Sequence, residues 1–538
     1  MKRDFDDLAR KTFDLIVVGG GIIGAGIARD ATLRGLDTLL LEKEDFGYGT
    51  TSRSSRLIHG GLRYLRQLDF SLVRQDMRER ETLLRIASHL VHPLPFLIPV
   101  ARPLDRVILP LGMRLYDLLS FDKTLPSCRR LSHRETLELE PGLELKGMVA
   151  SYLYHDCQVP FPERLCLENT LSAAEQGASV LNHAKVMRIM RDSDTVSGVE
   201  VQDCISGEVY QATAKLVVNA AGHWADCVWN MICSSSKPMV RRTKGVHLLT
   251  SQISHNAVVQ FAQADGRLFF IIPWEGSSLI GTTDTDYFGD LDAVHAEAKD
   301  VSYLLAEVRR IFPSMKMEDI FYTIAGLRAL AYSGSKHASD ISRKHKLVDH
   351  EQRDGTRGFI SVIGGKLTGY RAIAQETVDL VCRKLGLRAS CGTSTASLPG
   401  APAVPQKTVV QAARESGLPL DSVVHLAALY GSRFHQVLDL AGKDRRGMQP
   451  ICSHSPDILS QIWHAVREEA ALSVSDFLLR RSAVGLSPCQ GLDAVDMVAK
   501  EMGRLLRWSS AEQQRQIESY RTSVALNQRF RAEPASIH

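Results

Sequence analysis

The stretch from Asp14 to Glu42, DLIVVGGGIIGAGIARDATLRGLDTLLLE, limits most tightly what this chain can become. Leu15–Val18 is apolar and β-branched, the pattern of a strand buried in a parallel sheet. Gly19, Gly21 and Gly24 follow in the spacing G-x-G-x-x-G; Ile22 to Arg34 reads as a helix and Thr38–Leu41 as a second strand ending at Glu42. Each glycine has its own duty. Gly19 permits the tight turn out of the strand, Gly21 lets the backbone approach a pyrophosphate, and Gly24 lets helix and strand pack closely. Ile22 and Ile23 open the helix, whose unpaired N–H groups and positive dipole end suit phosphate. Glu42, with Lys43 beside it, stands where an acceptor for ribose hydroxyls is expected, and its carboxylate disfavours a 2′-phosphate. Strand, glycines, helix, strand and acid in that order predict an adenine dinucleotide, FAD or NAD rather than NADP, over a glycine-rich turn of some other α/β domain.

A chain of 538 residues holds two or three domains, and 44% hydrophobic with 23% charged residues is ordinary for a globular protein. The net charge of +4 is small for this length, so no nucleic-acid partner is expected. The ten cysteines are scattered, without a C-x-x-C pair or a Cys/His spacing suited to zinc. They read as thiols of a reducing compartment, and no metal site is expected. The N-terminal MKRDFDDLARKTF carries no secretory signal, and no apolar run reaches the length of a membrane span.

Residues 45–66, DFGYGTTSRSSRLIHGGLRYLR, are dense in Gly, Ser, Thr and Arg. They read either as a solvent loop or as a loop against a cofactor. Thr51, Ser52, Ser54 and Ser55 offer hydroxyls there, Leu57 and Ile58 follow, and Gly60 and Gly61 allow close backbone approach. Arg63 and Tyr64 then start a helix. TSRSSRLIHGGLRYL together with GGGIIGAGIARDA resembles the signatures of the FAD-dependent (aerobic, quinone-linked) glycerol-3-phosphate dehydrogenases.

The rest of the chain extends the resemblance. In that family the residue at Val186 touches the adenine side through its backbone. KLVVNAAGHW (215–224) is a second strand–turn–helix unit, similar to the family's second FAD motif at Ala221, Gly222 and Trp224, with His223 where the family usually has Pro. Residues 236–340 alternate as an antiparallel domain. They contain K-G-x-H at Lys244–His247, GTTDTDY at 281–287, and G-x-R at Gly326–Arg328, with Ala329 in place of the family's usual Pro. SVIGGKLTGYR (361–371) supplies Gly365, Lys366, Leu367 and Thr368, and departs from the family's G-G-K-x-T-T-Y-R only at Gly369. Three separated glycine-rich segments suit the long FAD better than NAD.

The resemblance implies an α/β fold: a Rossmann-like FAD-binding domain of the glutathione-reductase/amino-acid-oxidase superfamily, an antiparallel β substrate domain and a C-terminal all-α cap. The expected division is 1–90, 150–235 and 341–400 for FAD, 91–149 and 236–340 for substrate, 401–406 as linker, and 407–538 as cap. It also implies oxidation of sn-glycerol 3-phosphate to dihydroxyacetone phosphate, with hydride transfer from C2 to FAD and electrons passed to a membrane quinone. A phosphate dianion calls for cations, here Arg63, Arg328 and Lys366, with Tyr64 and Thr368 orienting the substrate. His247 is the first candidate for general base and His59 the second.

A soluble oxidase using O2 shares every motif; an amino-acid oxidase or a non-catalytic flavin-binding regulator fits less well. No D-x-D-x-D-G loop supports calcium sites. The proline-broken apolar stretch 91–126 includes 105–119, which reads either as a buried core helix with snorkelling arginines or as a membrane-surface segment. The expectation is thus a cytoplasmic protein, peripheral on the membrane, with a homodimer left open by the family.

Overall fold

The computed structural model describes residues 1, 3–61, 69–102, 105–233, 237–332 and 344–532. One sheet runs, edge to edge, Lys346–Asp349, Phe359–Ile363, Val209–Asn219, β1 (Thr12–Val18), β2 (Thr38–Leu41) and Ser179–Leu181. The pairs from Phe359–Ile363 to Ser179–Leu181 are parallel, with Leu15 opposite both Leu216 and Thr38. The buried runs of β1 and β2 explain this: a parallel strand covered on both faces needs no polar side. The hairpin Ala184–Asp192/Thr195–Asp203 extends Val209–Asn219 antiparallel.

Helix α1 (Ile22–Leu33) lies over this sheet between the helices Pro162–Glu175 and Tyr370–Leu385. Its small residues permit the approach. A Cβ on Gly26 would lie 2.9 Å from the ring of Tyr370, and one on Gly24 would lie 1.8 Å from the Gly19 carbonyl oxygen. Gly24 therefore has the packing role expected of it.

The second sheet is built mainly from antiparallel pairs around Val240–Ser251. That strand pairs with Ile320–Ala331 and Ser277–Gly281, setting Thr243 opposite Arg328, Gly245 opposite Gly326, and His247 opposite both Ile324 and Gly281. The stretch expected to be broken by prolines is instead partly a nine-residue strand, His92–Val100, paired along its length with Ala150–Gln158. Pro93, Pro95 and Pro99 share one parity, so their missing N–H groups fall on one edge. On the side away from Ala150–Gln158, among the described residues, only Phe96 and Leu97 pair, with Ala257 and Val258.

Helix α2 (Phe70–Ile86) is followed after that strand by α3 (Asp105–Leu119). The reading of α3 as a buried core helix with snorkelling arginines holds for one face alone. Met113 and Tyr116 are buried, and Leu109, Leu115 and Leu119 pack on the core, but Val107 and Leu111 are each 63% exposed and Leu118 is 68% exposed. Ile108 and the following Phe121 are exposed as well. The inner face is anchored where Tyr116 donates to Asp156 Oδ2 at 2.6 Å, beside the Arg80–Asp156 ion pair of 2.6 Å. No helix among the described residues is long and apolar enough to cross a membrane.

From Gln406 onward the chain is mostly helical, up to the helix Ser510–Gln528. This cap is bound to the dinucleotide unit by buried charge. Asp45, just beyond β2, accepts from Arg480 Nε at 2.7 Å, from Arg481 Nη1 at 2.8 Å and Nη2 at 2.9 Å, and from Asn182 at 3.0 Å. Arg164 joins Glu469 of the cap to Glu168 nearby.

Candidate active site

A cavity of about 580 Å³ runs from the glycine turn after β1 to the antiparallel sheet. Gly19, Gly21, Ile22, Ile23, Glu42 and Lys43 line one end, with Ala184, Lys185 and Val186. Thr51, Ser54, Ser55, Leu57, Ala221, Gly222 and Trp224 line the walls, and Gly365, Lys366, Leu367 and Thr368 close on it from the third segment. His247, Arg328 and His59 line it too. The topology explains the convergence: the turns after β1, Val209–Asn219 and Phe359–Ile363 lie at the same, carboxyl ends of parallel strands.

Several expected residues face elsewhere. Ser52 donates to the carbonyl of Tyr48 at 2.9 Å and is not part of the lining. Ile58 is a buried strand residue opposite Cys157. Gly60 packs against Tyr116 and Met77, where a Cβ would meet the Tyr116 hydroxyl at 2.7 Å. Gly61 takes a φ of +77° and is also outside the lining. Arg63 and Tyr64 lie outside the described residues. Conversely, Arg53, Arg267 and Phe270 line the cavity without having been expected. Arg267 and Phe270 flank Leu268 and Phe269 in an alternating strand region, a signal too common to single them out.

The donors and acceptors fit FAD. Gly21 is extended, with φ −72°, and a Cβ there would meet nothing nearer than Thr51 Oγ1 at 3.5 Å. The protein's own packing leaves that position open, as close approach of a pyrophosphate requires. Ile22 N–H donates to Thr51 Oγ1 at 3.0 Å, while the next N–H groups of the first turn have no intrahelical acceptor. Glu42 accepts from Gly20 N–H at 2.7 Å and Glu44 N–H at 2.9 Å, which aims a half-buried carboxyl at the cavity; desolvation pushes its pKa up. The indole N–H of Trp224 is buried without a partner, beneath the Lys43 ammonium at 4.2 Å from the ring. The His223 ring lies against Trp224, with centroids 3.6 Å apart, and is buried, so it supports the turn.

At the other end two cations each sit near one histidine. Arg328 donates to Thr282 Oγ1 at 2.8 Å, to the Thr283 carbonyl at 3.0 Å and to Asp284 Oδ1 at 3.1 Å. Thus GTTDTDY serves to hold the guanidinium. His247 is 2% exposed; its Nε2 lies 2.8 Å from Ser55 Oγ, and its Nδ1 is buried without a partner. Desolvation, then Arg328 and Arg56, bring its pKa down to about 3, so it is neutral at pH 7. Lys366 is paired with the buried Asp76. His59 is held well below the ordinary histidine range by desolvation and by Lys366. Thr368 Oγ1 accepts from the His59 N–H at 3.1 Å and so fixes that loop.

A turn-and-helix dinucleotide end joined to a cationic, histidine-bearing end defines a flavin-dependent oxidoreductase, and residues 14–371 match the family model for FAD dependent oxidoreductases. Residues 391–513 match the model of the C-terminal domain of alpha-glycerophosphate oxidase. A glycerol-3-phosphate dehydrogenase of Synechocystis sp. is 40% identical, covering 98% of each chain. The crystal structure of the Bacillus halodurans glycerol-3-phosphate dehydrogenase complexed with FAD superposes with a TM-score of 0.78 at 30% identity, over 97% of this chain and 96% of that one. The chain therefore belongs to the FAD-dependent glycerol-3-phosphate dehydrogenase family, and FAD is its cofactor. An L-alpha-glycerophosphate oxidase of Mycoplasma pneumoniae shares the fold, with a TM-score of 0.55 at 19% identity, over 72% of this chain and 99% of that one.

Proposed function

We propose that this chain oxidises sn-glycerol 3-phosphate to dihydroxyacetone phosphate and delivers the electrons to a quinone in the membrane. The observation that carries the reading is the Arg328 guanidinium, held in a fork by Thr282, Thr283 and Asp284 at the wall of the cofactor cavity. A planar array of donors with a fixed charge suits a phosphate dianion. Lys366 adds a second positive charge, offset in the free protein by Asp76.

FAD, when bound, supplies the acceptor for the C2 hydride. The chain's own work is binding, orientation and proton transfer. Neutral His247 takes the proton of the C2 hydroxyl. Nε2 is the nitrogen assigned to the exchange, because its partner Ser55 Oγ belongs to a residue that lines the cavity. The phosphate's negative charge offsets Arg328 and raises the basicity of the imidazole when substrate is present.

The exposed apolar residues of α3 support the quinone over oxygen. Val107, Ile108, Leu111 and Leu118, with Phe121 just past the helix, are exposed apolar side chains, and Arg114 on the same stripe is exposed among them, as in a helix lying in a bilayer interface with a snorkelling cation. In this reading the protein rests on the cytoplasmic face of the membrane. Anaerobic glycerol 3-phosphate should bleach the flavin absorbance of the purified protein. Rapid recolouring on adding a quinone in vesicles, with slow recolouring in air, supports the dehydrogenase. Fast recolouring in air supports the oxidase, and no bleaching removes the substrate.

A further inference from the structure

Spacing along the chain gives the cysteines no metal pattern, but folding brings Cys452, His454, Cys489 and Asp493 together in the cap, with one ligand atom of each within 4.8 Å of all the others. Cys452 Sγ lies 3.2 Å from Cys489 Sγ and 3.3 Å from Asp493 Oδ2, and Cys489 Sγ lies 3.0 Å from Asp493 Oδ1. His454 Nδ1 is 3.8 Å from both Cys452 Sγ and Asp493 Oδ2. Zinc–sulfur bonds of about 2.3 Å and zinc–nitrogen or –oxygen bonds of about 2.0 Å, set tetrahedrally, would place ligand atoms roughly 3.3–3.8 Å apart. The observed separations run from 3.0 to 3.8 Å; the two sulfurs, at 3.2 Å, would part to about 3.8 Å around the ion, a shift within reach of side-chain rotation.

We propose that these four side chains bind a single thiophilic divalent cation, Zn2+, through two thiolates, one imidazole and one carboxylate. Local structure prepares each half. Cys452 and Ser455 pair across a tight hairpin with His454 in its turn, and the His454 N–H donates to Cys452 Sγ at 3.2 Å. Gln490 and Gly491 take φ of +55° and +67°, which turns the chain so that Asp493 returns to Cys489. Among the described residues, the one basic side chain within 4 Å of the Asp493 carboxylate is His454. In the free protein both thiols donate to the Asp493 carboxylate; each releases its proton to solvent when the metal binds, and the cation then neutralises two thiolates and a carboxylate. His454 is exposed and Asp493 is exposed, which leaves a path for entry. The loop is tied inward: Gln490 donates to the Phe321 carbonyl and accepts from the Tyr520 hydroxyl through its own carbonyl at 2.7 Å. Phe321 is the second residue of the strand Ile320–Ala331, which carries Arg328, so the ion braces the cap against the active-site sheet.

The test is the metal and sulfide content of the flavin-loaded full chain, purified without chelator and then dialysed after incubation with Zn2+. The expected result is one zinc per chain, with X-ray absorption showing two sulfur and two nitrogen or oxygen neighbours. Cys489→Ser and the conservative Asp493→Asn should each weaken zinc retention at least tenfold while the flavin content shows that the chain still folds. Failure to retain zinc overturns the proposal. So does iron with acid-labile sulfide, which would mean a cluster, and so does a denatured thiol count two short, which would mean a Cys452–Cys489 disulfide.

Discussion

Arg328 fills the space that a side chain at Gly245 would need: a Cβ there would lie 2.4 Å from Nη2 and 2.6 Å from Cζ. The glycine of the K-G-x-H motif is thus a seat for a guanidinium on the neighbouring strand.

Arg328→Ala should raise KM for glycerol 3-phosphate by about 10–100-fold, the value of roughly 1.5–3 kcal/mol of charge-assisted hydrogen bonding. Gly245→Ala should move KM in the same direction by displacing Arg328. Steady-state kinetics beside the flavin absorbance check both, since neither change should empty the cofactor site. An unchanged KM in Arg328→Ala would remove it from phosphate binding.

Gly21 and Gly24 should fail differently. Gly21→Ala meets only Thr51 Oγ1 at 3.5 Å, so the chain should fold and keep the Tm of its apoprotein while losing flavin affinity. Gly24→Ala drives a methyl to 1.8 Å from the Gly19 carbonyl oxygen and should destabilise the fold itself. Thermal unfolding with and without added FAD distinguishes the two.

Lys366→Met strands the buried carboxylate of Asp76, whose pKa burial already pushes up. Breaking such a pair costs about 3–5 kcal/mol. The double variant Lys366→Met/Asp76→Asn should recover most of that stability in a denaturant titration. A raised KM that persists in the double variant would assign Lys366 to the substrate; recovery of KM along with stability would make it structural.

Ile108→Asp with Leu111→Asp should release the protein from anionic vesicles in a flotation assay and leave turnover with a soluble dye unchanged. Both side chains are exposed, at 50% and 63%, so the fold should tolerate the charges. Vesicle binding that survives both changes would dissociate α3 from the membrane.

Acid should destabilise the protein through its buried neutral histidines. His89, His223 and His247 are each brought down to about 3, first by desolvation and then by neighbouring cations. The unfolded chain takes up protons on them near pH 6.5 and the folded chain does not. Stability is therefore complete above about pH 6.5 and falls as pH drops toward about 3, by about 1.4 kcal/mol per pH unit for each group. His89 lies outside the active-site cavity with both ring nitrogens buried and unpartnered, so His89→Leu should flatten the fall of Tm between pH 7 and 5. An equal slope in that variant would place the acid sensitivity elsewhere.

The parallel sheet was legible because its rules are local. Apolar runs such as Leu15–Val18 and Phe359–Ile363 and the glycines after them report strand, turn and cofactor directly. The antiparallel sheet was legible as a class from its alternation, and its motifs led to Arg328 and His247. Long-range matters were not. Nothing local shows that Ile58 and Gly60 belong to packing while Leu57 and His59 face the cavity, because that depends on α3 and the strand Ala150–Gln158. The prolines of His92–Val100 look like breakers until their common parity meets an edge that scarcely pairs. Cys452 and Cys489 lie far apart in sequence, and only the folded cap makes them neighbours.

Asp45 carries one more implication. A carboxylate just beyond β2 takes two of its donors from Arg480 and Arg481, in the C-terminal cap. A truncated protein ending at the linker would retain every residue of the nucleotide fingerprint and yet lose both guanidinium partners of that carboxylate, keeping Asn182 as its donor. The order of the segment after β2 is in this sense inherited from the cap, and a transplant of the first domain into another enzyme would have to bring its own pair of arginines.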